Sequence, residues 1–308
     1  MLKMNRREFI SGAAAFGGVA MLGGCKCPLC GSGERVPYGD TIGDRLWMWG
    51  HHAMSFASMK GDAKEHYNLP FDRRIDMAAA CKEMNIPGCF VVRWRDLPKK
   101  AELPEYMKQF VDTKRVGFSI TDSAVENFDE KVRLGLEYAD RMPNLTTLVM
   151  DDFWSGAAKG VDLRKIARVR EETAARNMKL GIVLYSDNNG VKGEFKDVLD
   201  LCDEITFWFW YGKNVGTIEA QVAKLKDLVG SEKPILLGQY MYDFGGKKAL
   251  SGTDMERQLA ATSRLLSQKA INGVIFHCTP LVDMDLDAVK VSRAWIKENA
   301  LKKWGSSI

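Results

Sequence analysis

Long apolar runs are missing from this 308-residue sequence, and a mean hydropathy of −0.22 excludes a multi-span membrane protein. An excess of one charge is missing too. Forty-four Lys and Arg against 40 Asp and Glu leave a net +4, and no basic run stands out, so nothing marks a nucleic-acid binder. Cysteine usage does not suit a disulfide scaffold. There are seven, Cys25, Cys27, Cys30, Cys81, Cys89, Cys202 and Cys278. Cys27-Pro28-Leu29-Cys30 has CxxC spacing, but there is no second CxxC to complete a zinc site. Cys81, Cys89, Cys202 and Cys278 sit in apolar segments and read as core residues. The remaining composition, 46% hydrophobic and 27% charged, is that of a globular chain and excludes a disordered, collagenous or coiled-coil one.

The N-terminus reads as an address. Asn5-Arg6-Arg7-Glu8-Phe9-Ile10 sets two arginines before an aromatic and an aliphatic residue. A Gly/Ala-rich run follows to Gly24, too short and too rich in glycine to span a bilayer stably. This resembles a twin-arginine (Tat) export signal. Leu22-Gly23-Gly24-Cys25 resembles a bacterial lipobox, which implies cleavage before Cys25 and lipidation of its sulfur. The expected organisation is a signal peptide over 1–24, a tether and linker over 25–44, one domain over 45–300 and a tail over 301–308. The implied location is periplasmic or cell-surface, with the Tat translocase as export partner and membrane contact only through the lipid anchor.

From residue 45 onward, short β-rich runs alternate with amphipathic helical stretches. Strands are expected at 45–51, 88–94, 115–121, 146–152, 179–186, 204–210, 234–240 and 273–278. Most are near-continuous apolar runs, as parallel strands buried on both faces require. Helical patterns lie at 72–85, 124–142, 217–228, 254–269 and 285–299. Thr253 is the expected N-cap of the fourth, and Pro143 stops the second. Asn85-Ile86-Pro87-Gly88 reads as a turn into the second strand. Eight such units without a break in composition predict a single-domain α/β protein, a (β/α)8 TIM barrel. A doubly wound open sheet fits less well. Its first strand would turn through GxGxxG, and here Trp49-Gly50-His51-His52 occupies that place.

Active sites of such barrels lie at the C-terminal ends of the strands. Those ends carry Trp49, His51 and His52; Arg93 and Trp94; Thr121 and Asp122; Asp151, Asp152 and Trp154; Tyr185 and Asp187; Trp208, Trp210 and Tyr211; Tyr240, Tyr242 and Asp243; and His277 and Cys278. Such a rim suits a sugar, because aromatic rings stack on pyranose C–H faces while Asp, Arg and His hydrogen-bond hydroxyls. Trp94, Trp154, Trp208, Trp210 and Tyr211 are candidate platforms. Along the sixth strand, Trp208 and Trp210 alternate with Phe207 and Phe209, and the Trp pair is expected to face inward.

Leu148-Val149-Met150-Asp151-Asp152-Phe153-Trp154 is the sharpest local signal. Two carboxylates close a buried strand, where desolvation and mutual repulsion separate the roles of acid and anion that glycoside cleavage needs. The segment resembles the Asp-Asp-Phe-aromatic strand-four ends of exported barrel glycosidases and glycosidase-like proteins. The large glycosidase clan of this fold instead puts a Glu at the ends of strands four and seven, and no predicted strand end here carries one. The resemblance therefore implies hydrolysis of an extracytoplasmic oligo- or polysaccharide by aspartates. Asp152 is central, Asp243 is the chosen partner across the mouth, Asp151 is a third candidate, and Asp187 and Asp122 are alternatives. Adjacent Asp151 and Asp152 are expected on opposite sides of an ideal strand. Substrate contacts are assigned to His51, Arg93, Trp94, Trp154, Tyr185, Asp187, Trp208, Trp210, Tyr211, Tyr240, Tyr242 and His277. No cofactor is implied. Two other readings compete: a surface barrel that binds glycans without cleaving them, and a metal-dependent hydrolase or isomerase using His51, His52, Asp152 and His277.

Overall fold

The computed structural model describes residues 38–56, 67–69, 75–121, 127–153, 162–186 and 195–308. Eight parallel strands close on one another in chain order. They are β1 (Leu46–His51), β2 (Gly88–Val92), β3 (Arg115–Thr121), β4 (Leu145–Met150), β5 (Lys179–Tyr185), β6 (Glu204–Trp208), β7 (Ile235–Tyr240) and β8 (Gly273–His277). β8 returns to β1, with Trp49 opposite His277. Among the described residues, the helices that follow the strands are α1 (Met77–Glu83), α2 (Leu103–Tyr106), α3 (Phe128–Arg141), α4 (Leu163–Ala174), α5 (Lys196–Leu201), α6 (Ile218–Val229), α7 (Gly252–Ser267) and α8 (Asp287–Asn299). This is the expected (β/α)8 barrel. Only Lys179 and Tyr185, at the two ends of β5, are less than buried among all strand residues. That is why these segments read as unbroken apolar runs rather than alternating ones.

Several strands stop one or two residues short of their expected ends. β2 ends at Val92, β4 at Met150 and β6 at Trp208. The polar residues that follow lie in turns: Arg95, Asp96 and Asp152 adopt left-handed φ of 55°, 62° and 45°. Asn85 does the same, at 54°, in the turn that enters β2. α7 begins earlier than expected. Its cap is Ser251, whose Oγ accepts from the Asp254 amide at 3.1 Å and donates to the Asp254 carboxylate at 2.7 Å, so Thr253 lies inside the helix. α2 and α5 are too short to show a period. α4 buries only Ile166, Val169 and Thr173 among its charges.

The barrel interior is filled by rings, with glycines on neighbouring strands making room for them. Phe90 lies 4.6 Å from the Trp47 ring and 5.3 Å from that of Trp49. A Cβ on Gly117 would come within 2.3 Å of Phe90, and one on Gly238 within 2.0 Å of Trp208. At the N-terminal end of the barrel, Lys179 pairs with buried Glu204 at 2.9 Å, and Tyr38 covers Lys179 and Arg115 with ring distances of 4.5 and 4.7 Å. Burial pushes the Tyr38 phenol up to about 12. The Asn5–Ile10 pattern, Cys25 and the CxxC lie outside the described residues. No helix among the described residues is long and apolar enough to cross a membrane.

Candidate functional site

The C-terminal mouth of the barrel holds a cavity of about 80 Å³. β1 contributes Trp49 and His51, the turn after β2 Trp94, the end of β4 Asp151 and Asp152, and β5 Tyr185. Trp210, Tyr240, Phe244 and His277 complete the far wall, with Phe56 and Tyr67 from the segment after β1. Its size is far below the roughly 300–1,000 Å³ of pockets that enclose a whole drug-sized ligand. It therefore takes the edge of a ring or one substituent.

The β4 end has a geometry that strand alternation alone does not predict. Asp151 and Asp152 follow the last residue of β4, and the left-handed turn at Asp152 brings it to the same cavity as Asp151. The expectation of opposite sides assumed an ideal strand, and the strand has ended. Thr121 Oγ1 donates to the Asp151 carbonyl at 2.6 Å, tying this turn to β3. The Tyr185 hydroxyl donates to Asp152 Oδ1 at 3.1 Å, and a further hydrogen bond joins the Tyr185 and Tyr240 hydroxyls. Burial pushes both phenols well above their ordinary value, so they stay protonated.

Aromatic packing fixes the opposite wall. Trp210 stacks on Phe244 at 5.8 Å and meets Tyr185 and Tyr240 edge-on at 6.2 and 5.7 Å. Trp208 also faces inward but lies one layer deeper. Its ring contacts Trp49, Tyr240 and His277 at 5.3, 5.1 and 5.7 Å, and its Nε1 donates to Thr206. His51 stacks on Trp94 at 5.3 Å and meets His277 edge-on at 5.1 Å. Thr279 Oγ1 accepts from the His51 amide and donates to its carbonyl, clipping β1 to the segment after β8. Burial holds the His51 imidazole down to about 3. Burial, then the neighbouring His51, holds His277 well below its ordinary value, so both are uncharged at neutral pH.

Other candidates are placed elsewhere. Asp243 lies outside this cavity, because its Oδ1 accepts from the amides of Gly212 at 3.0 Å and Gly246 at 2.7 Å and so folds the loop after β7. Asp243 and Tyr211 line a second, wider cavity of about 870 Å³, together with Lys213, Asp254 and Arg257. Both carboxylates there have structural duties, Asp243 in the loop and Asp254 at the α7 cap. Tyr242 is buried behind the wall with its hydroxyl on the Tyr67 carbonyl. Arg93 turns away to the Pro98 carbonyl at 3.2 Å and to Asp96 at 3.1 Å. His52 packs on Tyr106 rather than in the cavity. Trp154, Asp187 and Asp122 lie outside the described residues. Phe56, Tyr67 and Phe244 were missed because they stand several residues beyond their strands. The available signal was their aromaticity in the same loops.

No protein-family profile and no curated protein sequence matches the chain. Among solved structures, the chain is similar to the Bacillus megaterium spore cortex-lytic enzyme SleL, with 10% identity over 83% of this chain and 73% of that one and a TM-score of 0.49. It is similar to a tryptophan synthase α-subunit variant from Pyrococcus furiosus, with 11% identity over 84% and 98% and a TM-score of 0.49. Two proteins of such different names at the same distance say nothing of activity, and the barrel itself is observed directly in the strand pairing.

Proposed function

We propose that the chain is a glycoside hydrolase whose Asp151 and Asp152 act on a sugar seated at the barrel mouth. One observation carries the reading: two adjacent carboxylates converge on an aromatic-lined cavity, and one of them is oriented by a tyrosine hydroxyl. Glycosidic cleavage passes through an oxocarbenium-like state and needs a proton on the leaving oxygen and negative charge at the anomeric centre. Asp152, held by Tyr185, supplies the negative charge. Asp151, the more deeply buried of the two, carries the proton to the leaving oxygen. Trp94 and Trp210 offer ring faces for the sugar.

The substrate is an extracytoplasmic oligo- or polysaccharide, reached by export on the Arg6-Arg7 signal and anchoring through Cys25. Replacing both arginines with lysine is expected to leave unprocessed precursor in the cytoplasm, and normal processing would contradict the export reading. A broad oligosaccharide panel scored for released product tests the activity. Release of product from at least one glycan is expected. Binding of several glycans with cleavage of none would favour a capture protein instead.

A further inference from the structure

We propose that His51, His277 and Cys278 form a binding site for a zinc-class divalent ion beside the carboxylate pair. The donor atoms of the three residues all lie within 4.8 Å of one another, and all three side chains are buried. Two neutral imidazoles and one thiolate are the donor set that borderline-soft d10 metals favour over magnesium or calcium. Zn–N and Zn–S bonds of about 2.0–2.1 and 2.3 Å set the donors of a tetrahedral site about 3.3–3.6 Å apart, so donors at the 4.8 Å limit close by about 1.2–1.5 Å to share one ion.

Unused bonding capacity supports the site independently. The Nδ1 of His51 is buried and meets no hydrogen-bond partner, and that of His277 meets none beyond its own main chain. An orphaned buried nitrogen forfeits a hydrogen bond it would have in water, at a cost of about 1–3 kcal/mol. A metal, or a ligand at the cavity, would engage that nitrogen. The His51–Thr279 clip fixes the main chain of one ligand against the strand end that carries the other two.

Binding is a simple exchange. The thiol proton of Cys278 leaves to solvent as the sulfur–metal bond forms, and each imidazole binds through a ring-nitrogen lone pair. Three protein donors leave a fourth position open towards the cavity, which His51 and His277 both line. This site needs no glycan and does not depend on the hydrolase reading. Metal uptake is read without sugar, and sugar cleavage is read in chelator, so either can fail alone.

The experiment uses the full chain with Cys25, Cys27 and Cys30 replaced by serine, so that the N-terminal thiols do not compete. After chelator treatment, zinc is added alone and counted by equilibrium dialysis, and Co2+ is added in parallel and read by absorption. One zinc per chain is expected. A tetrahedral cobalt spectrum with a thiolate charge-transfer band is expected too. Cys278→Ser should remove that band, His277→Gln should abolish stoichiometric uptake, and Cys202→Ser should change neither. Absence of zinc uptake, a cobalt spectrum without a thiolate band, or a band that survives Cys278→Ser would overturn the proposal. The first two outcomes are read on the chain with the three ligands intact, so the test stands even if a ligand variant fails to fold.

Discussion

Replacing Gly238 with alanine sets a methyl carbon against the Trp208 ring. The added Cβ would lie 2.0 Å from Cε3, 2.3 Å from Cδ2 and 2.6 Å from Cζ3, where ordinary contact begins at 3.4 Å. The ring must therefore retreat by 3.4 − 2.0, or 1.4 Å. It has nowhere to go: it is 1% exposed, Trp49, Tyr240 and His277 surround it, and its Nε1 is bonded to Thr206 at 3.1 Å. Overpacking of this kind costs about 1–3 kcal/mol, and loss of the Nε1 hydrogen bond adds about 1 kcal/mol. The expected loss is about 2–4 kcal/mol, a fall in Tm of roughly 5–15 °C for a domain of this size. Urea denaturation of Gly238→Ala beside Gly216→Ala checks it, since a Cβ on Gly216 meets nothing within 4 Å. The control should stay within about 0.5 kcal/mol of wild type. Trp208→Leu should relieve the clash, so that the double variant loses less than the two single losses combined. A Gly238→Ala protein as stable as the control would refute the packing argument.

Other substitutions separate structural from catalytic roles. Asp243→Ala removes the acceptor for two loop amides and should cost about 1–3 kcal/mol by denaturation, while turnover of the folded protein stays near wild type. Tyr185→Phe keeps the ring but removes its hydrogen bond to Asp152 Oδ1, and should lower kcat with little change in KM, which steady-state kinetics would show. The fold favours the protonated Tyr38 phenol, raised from 10.0 to about 12 chiefly by burial. Its contribution is therefore whole below pH 10 and lost as pH climbs through 12, about 3 kcal/mol in all. Tyr38→Phe should flatten that alkaline decline in stability.

The barrel was legible because β1 to β8 are buried on both faces, which writes each as an apolar run, and α3 and α7 carry clear stripes. α2 and α5 are a turn or so long and leave no period to read. The site was legible as far as strand ends go: His51, Trp94, Asp151, Asp152, Tyr185, Trp210, Tyr240 and His277 share one cavity. What failed was direction beyond the strand end. Asp243 looked well placed across the mouth, yet the loop amides of Gly212 and Gly246 claim its carboxylate, and no periodicity encodes a loop contact. Arg93 likewise turns to its own loop. Conversely, the left-handed turn at Asp152 united two carboxylates that strand alternation would have parted.

The most direct test of the account is the turnover of Asp152→Asn on a glycan that the wild-type chain cleaves. The substitution keeps the shape of the side chain and its bond from Tyr185 but removes the charge. A fall in kcat of about 10²–10⁴-fold with sugar affinity retained is expected. Turnover near wild type in that variant would contradict it.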